Sequence, residues 1–172
     1  TKKLGEIAMF SKGKGISKAE IDENGKTECI RYGELYTTYT EIIDTIFSKT
    51  NTEPHKLILS EENDIIIPAS GETQIDIATA SCVTKSGVAL GGDLNIIKTP
   101  LNGVFFFFFL NSKKKNEIAN LAQGISVVHL YSSQLSALEI SFPSLREQIK
   151  IADFLSLCET RIHCQNKIIE GL

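Results

Sequence analysis

The sequence contains no tryptophan, one methionine, four prolines and four cysteines in 172 residues. The cysteines show no paired spacing, and no basic-then-apolar segment indicates secretion, so reduced thiols in a cytoplasm are expected. The longest apolar run, Val104 to Leu110, is far too short to cross a bilayer. These absences argue against a small disulfide-stapled secreted protein and against a membrane partner.

The sequence also lacks any recognisable catalytic or nucleotide-binding pattern. Gly91, Gly92 and Asp93 lack the frames of a phosphate-binding loop and of a dinucleotide fingerprint, so a tight turn is the simpler interpretation. Cys158 and Cys164 have no second pair that would complete four metal ligands. No serine, cysteine or carboxylate stands in a triad or paired-acid context. We therefore predict no catalytic residue, no metal and no cofactor.

Lysines are unevenly distributed along a chain whose formal net charge is −3. The overall charge argues mildly against a nucleic-acid binder, but binding depends on local patches. Two lysine groups could neutralise phosphates, and the alternative is a solvated surface. The candidate phosphate-binding residues are Lys12, Lys14, Lys18, Lys113, Lys114 and Lys115.

Two polar segments carry groups that can read base edges. Arginine can bridge guanine O6 and N7, and glutamate can accept from cytosine N4. The alternative is ordinary turn polarity, with Arg31 and Glu34 pairing locally. The candidate base-reading residues are Arg31, Tyr32, Glu34 and Tyr36 in one segment and Ser70, Glu72, Thr73 and Gln74 in the other.

Residues 1–143 predict an α+β head with a small mixed or antiparallel sheet and short helices. Short aliphatic or alternating runs predict strands. The predicted strands are Cys29–Tyr32, Leu57–Leu59, Ile65–Ile67, Ile75–Val83, Leu94–Ile97 and Leu138–Phe142. Capping-box spacing at Ser17 and Glu20 predicts a short helix, and Glu117–Ala122 predicts another. Periodicity leaves Phe105–Phe109 open between helix and strand.

Residues 144–172 predict one long helix of the coiled-coil type. Pro143 ends the preceding segment, and Ser144 with Glu147 has the spacing of a capping box. Apolar positions then recur every 3.5 residues on average, which is typical of a coiled-coil seam and requires a partner helix. The seam, which we predict as the helix interface, consists of Ile151, Leu155, Cys158, Ile162, Gln165, Ile169 and Leu172.

The same junction carries a family resemblance. The run P-S-L-R-E-Q of residues 143–148, followed by K-I-A-D-F-L at 150–155, resembles the start of the long helix in specificity subunits of type I restriction-modification enzymes. Further stretches similar to that family occur in the family's order at residues 4–7, 30–35, 90–94, 122–124 and 128–130. The resemblance covers nearly the whole chain and favours a helix at Phe105–Phe109.

The resemblance implies a non-catalytic, cytoplasmic module that recognises one half of a split double-stranded DNA target. Its helix would set the distance to a second head and dock the methyltransferase (modification) subunit, while methylation and cleavage would belong to that subunit and the restriction subunit. Family members usually carry two heads and two helices, so a single-headed chain is expected to be a fragment or a half-subunit that forms a homodimer through its helix. The alternative function is a protein-assembly module that does not itself read DNA.

Overall fold

The computed structural model describes residues 1–171, which form a head of short strands and helices followed by one long helix. Leu172, the last residue of the predicted helix interface, lies outside the described residues. The strands are β1 Lys2–Lys3, β2 Met9–Lys12, β3 Thr27–Ile30, β4 Ile42–Ile43, β5 Ser48–Thr50, β6 Asp64–Pro68, β7 Ser70–Gly71, β8 Ser81–Val83, β9 Ala89–Leu90, β10 Leu94–Lys98, β11 Val128–His129 and β12 Glu139–Ile140. The α-helices are α1 Gln74–Ile77, α2 Gly103–Phe109, α3 Lys115–Leu121, α4 Ser132–Ser136 and α5 Leu145–Glu170. Short 3-10 turns lie at Leu4–Glu6, Lys18–Glu20, Tyr32–Tyr36 and Pro54–Lys56, and a π-helical turn at Leu110–Lys114.

The centre of the head is a mixed five-stranded sheet in the order β2-β10-β6-β8-β4. Its strands pair antiparallel except for β4 and β8, which are parallel. The two middle strands, β6 and β10, carry aliphatic side chains that are buried on both faces, because helices or loops cover each side. A second, three-stranded sheet has the order β5-β3-β9. The predicted α+β class with a small mixed sheet is confirmed.

The five consecutive phenylalanines form helix α2, as the resemblance favoured. The helix begins at Gly103 because the Asn102 side chain caps it, accepting from the Phe105 N–H at 2.8 Å. The helix packs against β6, β8 and α5, so aromatic side chains find apolar neighbours on several sides. Phe106 and Phe107 are fully buried, and Phe108 is only partly buried.

Four predicted strands are wrong in part or in whole. The predicted strand Cys29–Tyr32 ends at Ile30, because a 3-10 turn begins at Tyr32. Ile75–Val83 divides into helix α1 and strand β8, because the Thr73 hydroxyl accepts from the Asp76 N–H at 3.1 Å and caps a helical turn. Leu57–Leu59 forms only an isolated bridge from Leu59 to Ala89. Leu138–Phe142 contributes only the two residues of β12, which pair with β1.

Helix α5 begins where the sequence predicts. The Glu147 carboxylate accepts from the Ser144 N–H at 3.0 Å and from its hydroxyl at 2.6 Å. Ser144 and Glu147 therefore form the capping box that their spacing predicts. The hydroxyl and the backbone N–H of Ser144 lower the pKa of Glu147. The charged carboxylate thus fixes the start of the helix.

The first half of α5 packs on its own head. Gln148 and Ala152 are buried there, and two seam residues, Leu155 and Cys158, are half-buried. The other described seam residues are exposed: Ile151, Ile162, Gln165 and Ile169. Every residue described beyond Glu159 is exposed, so the second half of the helix leaves the head. Within residues 1–171, no helix has both the length and the apolar character of a membrane span.

Gln148 is the polar link between α5 and the head. Its carbonyl oxygen accepts from the Asn102 N–H at 2.9 Å, and its amide donates to the Pro143 carbonyl at 2.9 Å. Replacing it by alanine leaves both backbone groups without these partners, and we expect the free energy of unfolding to fall by about 1–3 kcal/mol. Urea denaturation measures this loss. Lys150→Ala, an exposed change two residues further on, is the control, and an equal loss in both variants contradicts the assignment.

Candidate nucleic-acid interface

The structure brings the two predicted base-reading segments together in one cleft. The 3-10 turn Tyr32–Tyr36 forms one side, and the loop at Ser70–Glu72 forms the other. The cleft has a volume of about 660 Å³. Its lining includes Tyr32, Tyr36, Ser70, Glu72, Asp76 and Val127. Residues that are far apart in the sequence therefore share one surface.

A tyrosine joins the two sides of this cleft. The Tyr36 hydroxyl donates to the Ser70 carbonyl at 3.1 Å. This close approach requires a glycine beside it, since a Cβ on Gly71 would lie 2.9 Å from the Tyr36 hydroxyl oxygen. Burial, together with the charge of Asp76, raises the pKa of Tyr36. The phenol therefore remains a protonated donor, and the width of the cleft is fixed at this point.

A two-stranded ribbon supports the Ser70 loop. Strands β7 and β11 pair antiparallel, with His129 opposite Ser70. The Ser70 hydroxyl lies 3.3 Å from His129 Nδ1. The ribbon is tied to the central sheet because the buried Asn95 amide donates to the Leu130 carbonyl at 2.9 Å. The cleft is thus built on the rigid part of the head.

Glu34, one of the predicted base-reading residues, is engaged in local contacts. Its side chain is buried, and its carboxylate accepts from the Arg31 N–H at 2.7 Å and from the Ser48 hydroxyl. A second contact to Arg31 spans 3.5 Å from Nη2 to Oε1. The local pairing left open by the sequence is therefore what forms. Arg31 keeps about a quarter of its side chain exposed, 27%, at the edge of the cleft region.

Two further predicted base-reading residues hold the loop in place. Thr73 caps α1, and its hydroxyl donates to the Asp76 carboxylate at 2.5 Å. The Gln74 amide donates to the Ala122 carbonyl at 3.1 Å. Glu72, by contrast, is exposed and lines the cleft. Within this loop, Glu72 is the carboxylate best placed to meet a ligand.

The first lysine group lies on a fixed loop next to the cleft. A second groove of about 440 Å³ is lined by Lys18 and Arg31 and shares Tyr32 and Gly33 with the cleft. The loop is held tightly, since a Cβ on Gly13 would lie 1.8 Å from the Gly91 carbonyl oxygen. Lys12, Lys14 and Lys18 are all exposed on this segment. Of the three, Lys18 lines the groove that adjoins the cleft, and Lys12 and Lys14 precede it in the same segment.

The second lysine group is engaged locally. Lys114 donates to the Glu117 carboxylate at 2.5 Å, and Lys115 donates to the Thr79 hydroxyl at 3.1 Å. Lys113 is exposed. The three residues lie at the turn between α2 and α3, and none of them lines the cleft or the adjoining groove. The structure therefore separates this group from the predicted base-reading residues.

Sequence reasoning missed three side chains that line the cleft, Thr37, Asp76 and Val127. Asp76 was hidden inside a predicted strand, although Thr73 three residues earlier has the spacing of a helix cap. Val127 follows Gly124, which the sequence identified only as a helix stop. Val127 is an apolar residue in the sequence, and this alone does not predict that its side chain is half exposed beside a cleft.

Comparison with known proteins agrees with the resemblance found in the sequence. The family model described as "Type I restriction modification DNA specificity domain" matches residues 1–172. A search of curated protein sequences found no match. Among solved structures, the chain is similar to the S subunit of a type I restriction-modification system from M. genitalium, with 21% identity and a TM-score of 0.68 over 98% of this chain and 41% of that one.

Two more distant structures share the fold. The HsdS subunit from Thermoanaerobacter tengcongensis is 12% identical, with a TM-score of 0.64 over 96% of this chain and 38% of that one. A chain from a study of assembly and conformational transition of the type I R-M system is 12% identical, with a TM-score of 0.70 over 96% and 39%. The present chain thus spans about two fifths of the length of these structures.

The family match decides between an enzyme and a specificity module. It extends over the whole chain, and its members are described by DNA specificity and not by a catalytic step. The expected resemblance and the expected non-catalytic class are therefore confirmed. The chain belongs to the family of type I restriction-modification DNA specificity domains.

Proposed function

We propose that the head recognises one half of a split double-stranded DNA target. The observation that carries this proposal is the joining of the two polar segments into one cleft, next to a groove that is lined by Lys18 of a segment with three exposed lysines. Base edges specify a sequence and phosphate contacts set the register, so a reader needs both kinds of group side by side. This arrangement supports DNA recognition better than a plain assembly role.

The proposed division of labour follows from the chemistry of the exposed groups. Glu72 accepts from a base amino group, and Tyr32 and the exposed part of Arg31 supply donors beside it. Lys12, Lys14 and Lys18 neutralise phosphates along the same edge. Tyr36, Ser70, Thr73 and Gln74 position these groups through the hydrogen bonds described above. Lys113 to Lys115 have no assigned phosphate contact in this arrangement.

We further propose that α5 connects the head to the rest of a cytoplasmic type I assembly. The methyltransferase subunit would dock along the helix, and the restriction subunit would join that complex. Methyl transfer and DNA cleavage would then belong to those subunits, so this chain itself needs no cofactor. The second half of the helix supports this proposal, because the side chains of its isoleucines are exposed to solvent and could be covered by a partner. These residues are Ile162, Ile168 and Ile169.

The isolated chain should form a homodimer through the same half of the helix. One apolar seam that leaves the head is not covered by any described part of the chain, and a second copy supplies an identical seam. We expect sedimentation of the purified protein at tens of micromolar to give the mass of a dimer. Ile162→Glu should give a monomer with an intact head. If the unmodified protein is a monomer, the homodimer is contradicted, and the proposal of DNA recognition is not affected.

Selection of random duplex DNA tests the main proposal. The purified protein is mixed with a methyltransferase subunit of a type I system, and bound DNA is enriched at two salt concentrations. Enrichment of a short fixed motif, with affinity that falls as salt rises, is the expected result. A stable protein complex without an enriched motif favours the alternative function, an assembly module that does not read DNA.

Glu72 gives a sharper test once a motif is known. Replacing it by alanine should relax the preference at one base pair by about 1–3 kcal/mol, because one hydrogen-bond acceptor is lost. Non-specific affinity should change little, since no phosphate contact is removed. Competition binding against the four base pairs at each position measures this effect. Glu23→Ala, an exposed carboxylate away from the cleft, is the control. A uniform loss across all sequences contradicts base reading by Glu72.

A further inference from the structure

A short loop beside the cleft carries exposed aliphatic side chains. Ile125 at its tip is 100% exposed, and Val127 is 51% exposed. Val127 lines the cleft together with Tyr32 and Tyr36, whose rings are also partly exposed. A single exposed aliphatic residue is ordinary in a soluble protein. Here Val127 lines a polar cleft that also contains two tyrosines, and Ile125 lies two positions before it. These two exposed aliphatic side chains form an apolar surface, the apolar wall, that requires an explanation.

This loop is held in place from both ends. The Gln123 N–H donates to the His129 carbonyl at 2.9 Å, and the His129 N–H donates to the Gln123 carbonyl at 2.7 Å. Gly124 has a φ of 133°, and a Cβ there would lie 2.0 Å from the Val127 carbonyl oxygen. The loop therefore closes tightly and presents its aliphatic side chains outward instead of burying them in the head.

The surrounding groups indicate which part of DNA would meet this wall. Val128 of β11 pairs with Gly71 of β7, so Val127 lies on the same side of the cleft as the carboxylate of Glu72. Asp76 adds a second carboxylate to the lining, and carboxylates accept from base amino groups. Adenine and cytosine both present amino donors in the major groove, where thymine presents its 5-methyl group. In the minor groove the pattern offers only the guanine amino donor and no methyl group. A wall that combines acceptors with aliphatic groups therefore matches a major-groove edge.

We propose that Val127 and Ile125 are specificity residues that contact the 5-methyl group of a thymine in the recognised half-site. This inference rests on the proposed function, since it requires that the cleft binds DNA in the major groove. Lys18, which lines the adjoining groove beside Arg31, supplies positive charge that attracts the polyanion. The contact distinguishes thymine by an apolar interaction, whereas Glu72 distinguishes a base by a hydrogen bond.

Thymine-to-uracil replacement isolates this contact, because uracil lacks only the methyl group. Each thymine of the selected half-site is replaced in turn, and affinity is measured with the full chain in its methyltransferase complex. We expect one position at which the unmodified protein loses about fourfold in affinity, the factor expected for one buried methyl group. Val127→Ser and Ile125→Ser each remove the methyl groups that could contact thymine and leave a small polar side chain. In at least one of these variants, thymine and uracil should bind equally at that position.

Matched controls keep the outcome interpretable. Met9→Ser replaces an apolar side chain that is 72% exposed on β2 and lines neither the cleft nor the adjoining groove, and it should retain the fourfold sensitivity. Unchanged melting temperatures of the three variants show that their heads are folded. The inference is overturned if the half-site contains no thymine, if no position responds to uracil, or if the variants respond as the unmodified protein does.

The outcomes also separate this inference from the function on which it rests. If selection yields no motif, DNA reading fails and the methyl contact fails with it. If a motif is enriched but uracil substitution has no effect, only the methyl contact fails. A loss of affinity in the loop variants that is equal for all sequences would indicate a wedge or a backbone contact instead, which also overturns the proposal.

Discussion

Replacing Phe106 by alanine is expected to lower the free energy of unfolding by about 3–5 kcal/mol. Phe106 is fully buried in α2, and this helix packs against β6, β8 and α5. The substitution removes a whole ring and leaves a cavity that these elements can fill only in part. Because small domains have total stabilities of about 5–15 kcal/mol, the variant should be close to unfolding. Urea denaturation of both proteins, analysed for the midpoint and the slope, measures the loss.

Phe108 provides a matched control within the same run of phenylalanines. It lies on the partly buried side of α2, so Phe108→Ala removes the same ring from a position that water already reaches. Its cost should be clearly smaller than that of Phe106→Ala. Equal losses at both positions would mean that the helix is buried on all sides, which contradicts the orientation described here.

The comparison between Phe106 and Phe108 shows a limit of sequence reasoning. Five identical residues have no periodicity, so no pattern within the run can distinguish helix from strand or an inner face from an outer one. The cap at Asn102 and the packing of three separate elements decide both questions. Only the family resemblance favoured the helix. The position of α5, by contrast, was predictable because its proline, its Ser144–Glu147 pair and its long apolar spacing are local signals.

In the candidate site, too, some features were predictable from local sequence and others depend on tertiary packing. The sequence identified the two polar segments at Arg31–Tyr36 and Ser70–Gln74, because their residue types can meet base edges. It could not show that Tyr36 reaches the Ser70 carbonyl, since this contact depends on the fold of the intervening chain. It also could not separate Glu72, which faces the cleft, from Glu34, which is buried with Arg31 and Ser48. Composition suggests candidates, and tertiary packing selects among them.

The lysine loop leads to the second large expected effect. Replacing Lys12, Lys14 and Lys18 together by alanine should weaken DNA binding on the order of 100- to 1,000-fold near 0.1 M salt. Each phosphate contact contributes about 0.9 to the slope of log affinity against log salt, so each is worth about eightfold at that concentration. The slope itself should become shallower by about 2.7. Preference among DNA sequences should persist, because the base-reading groups remain.

The control must match the change in net charge. Lys2, Lys3 and Lys150 are three exposed lysines on β1 and α5, outside the segment that carries Lys18 into the groove beside the cleft. Their joint replacement by alanine removes the same total charge, so any effect of overall charge appears equally in both variants. Affinity titrations at several salt concentrations should show a change of slope only for the loop variant. Equal slope changes in the two variants would place the phosphate contacts elsewhere on the protein, and then the cleft would lose the electrostatic support on which its proposed function depends.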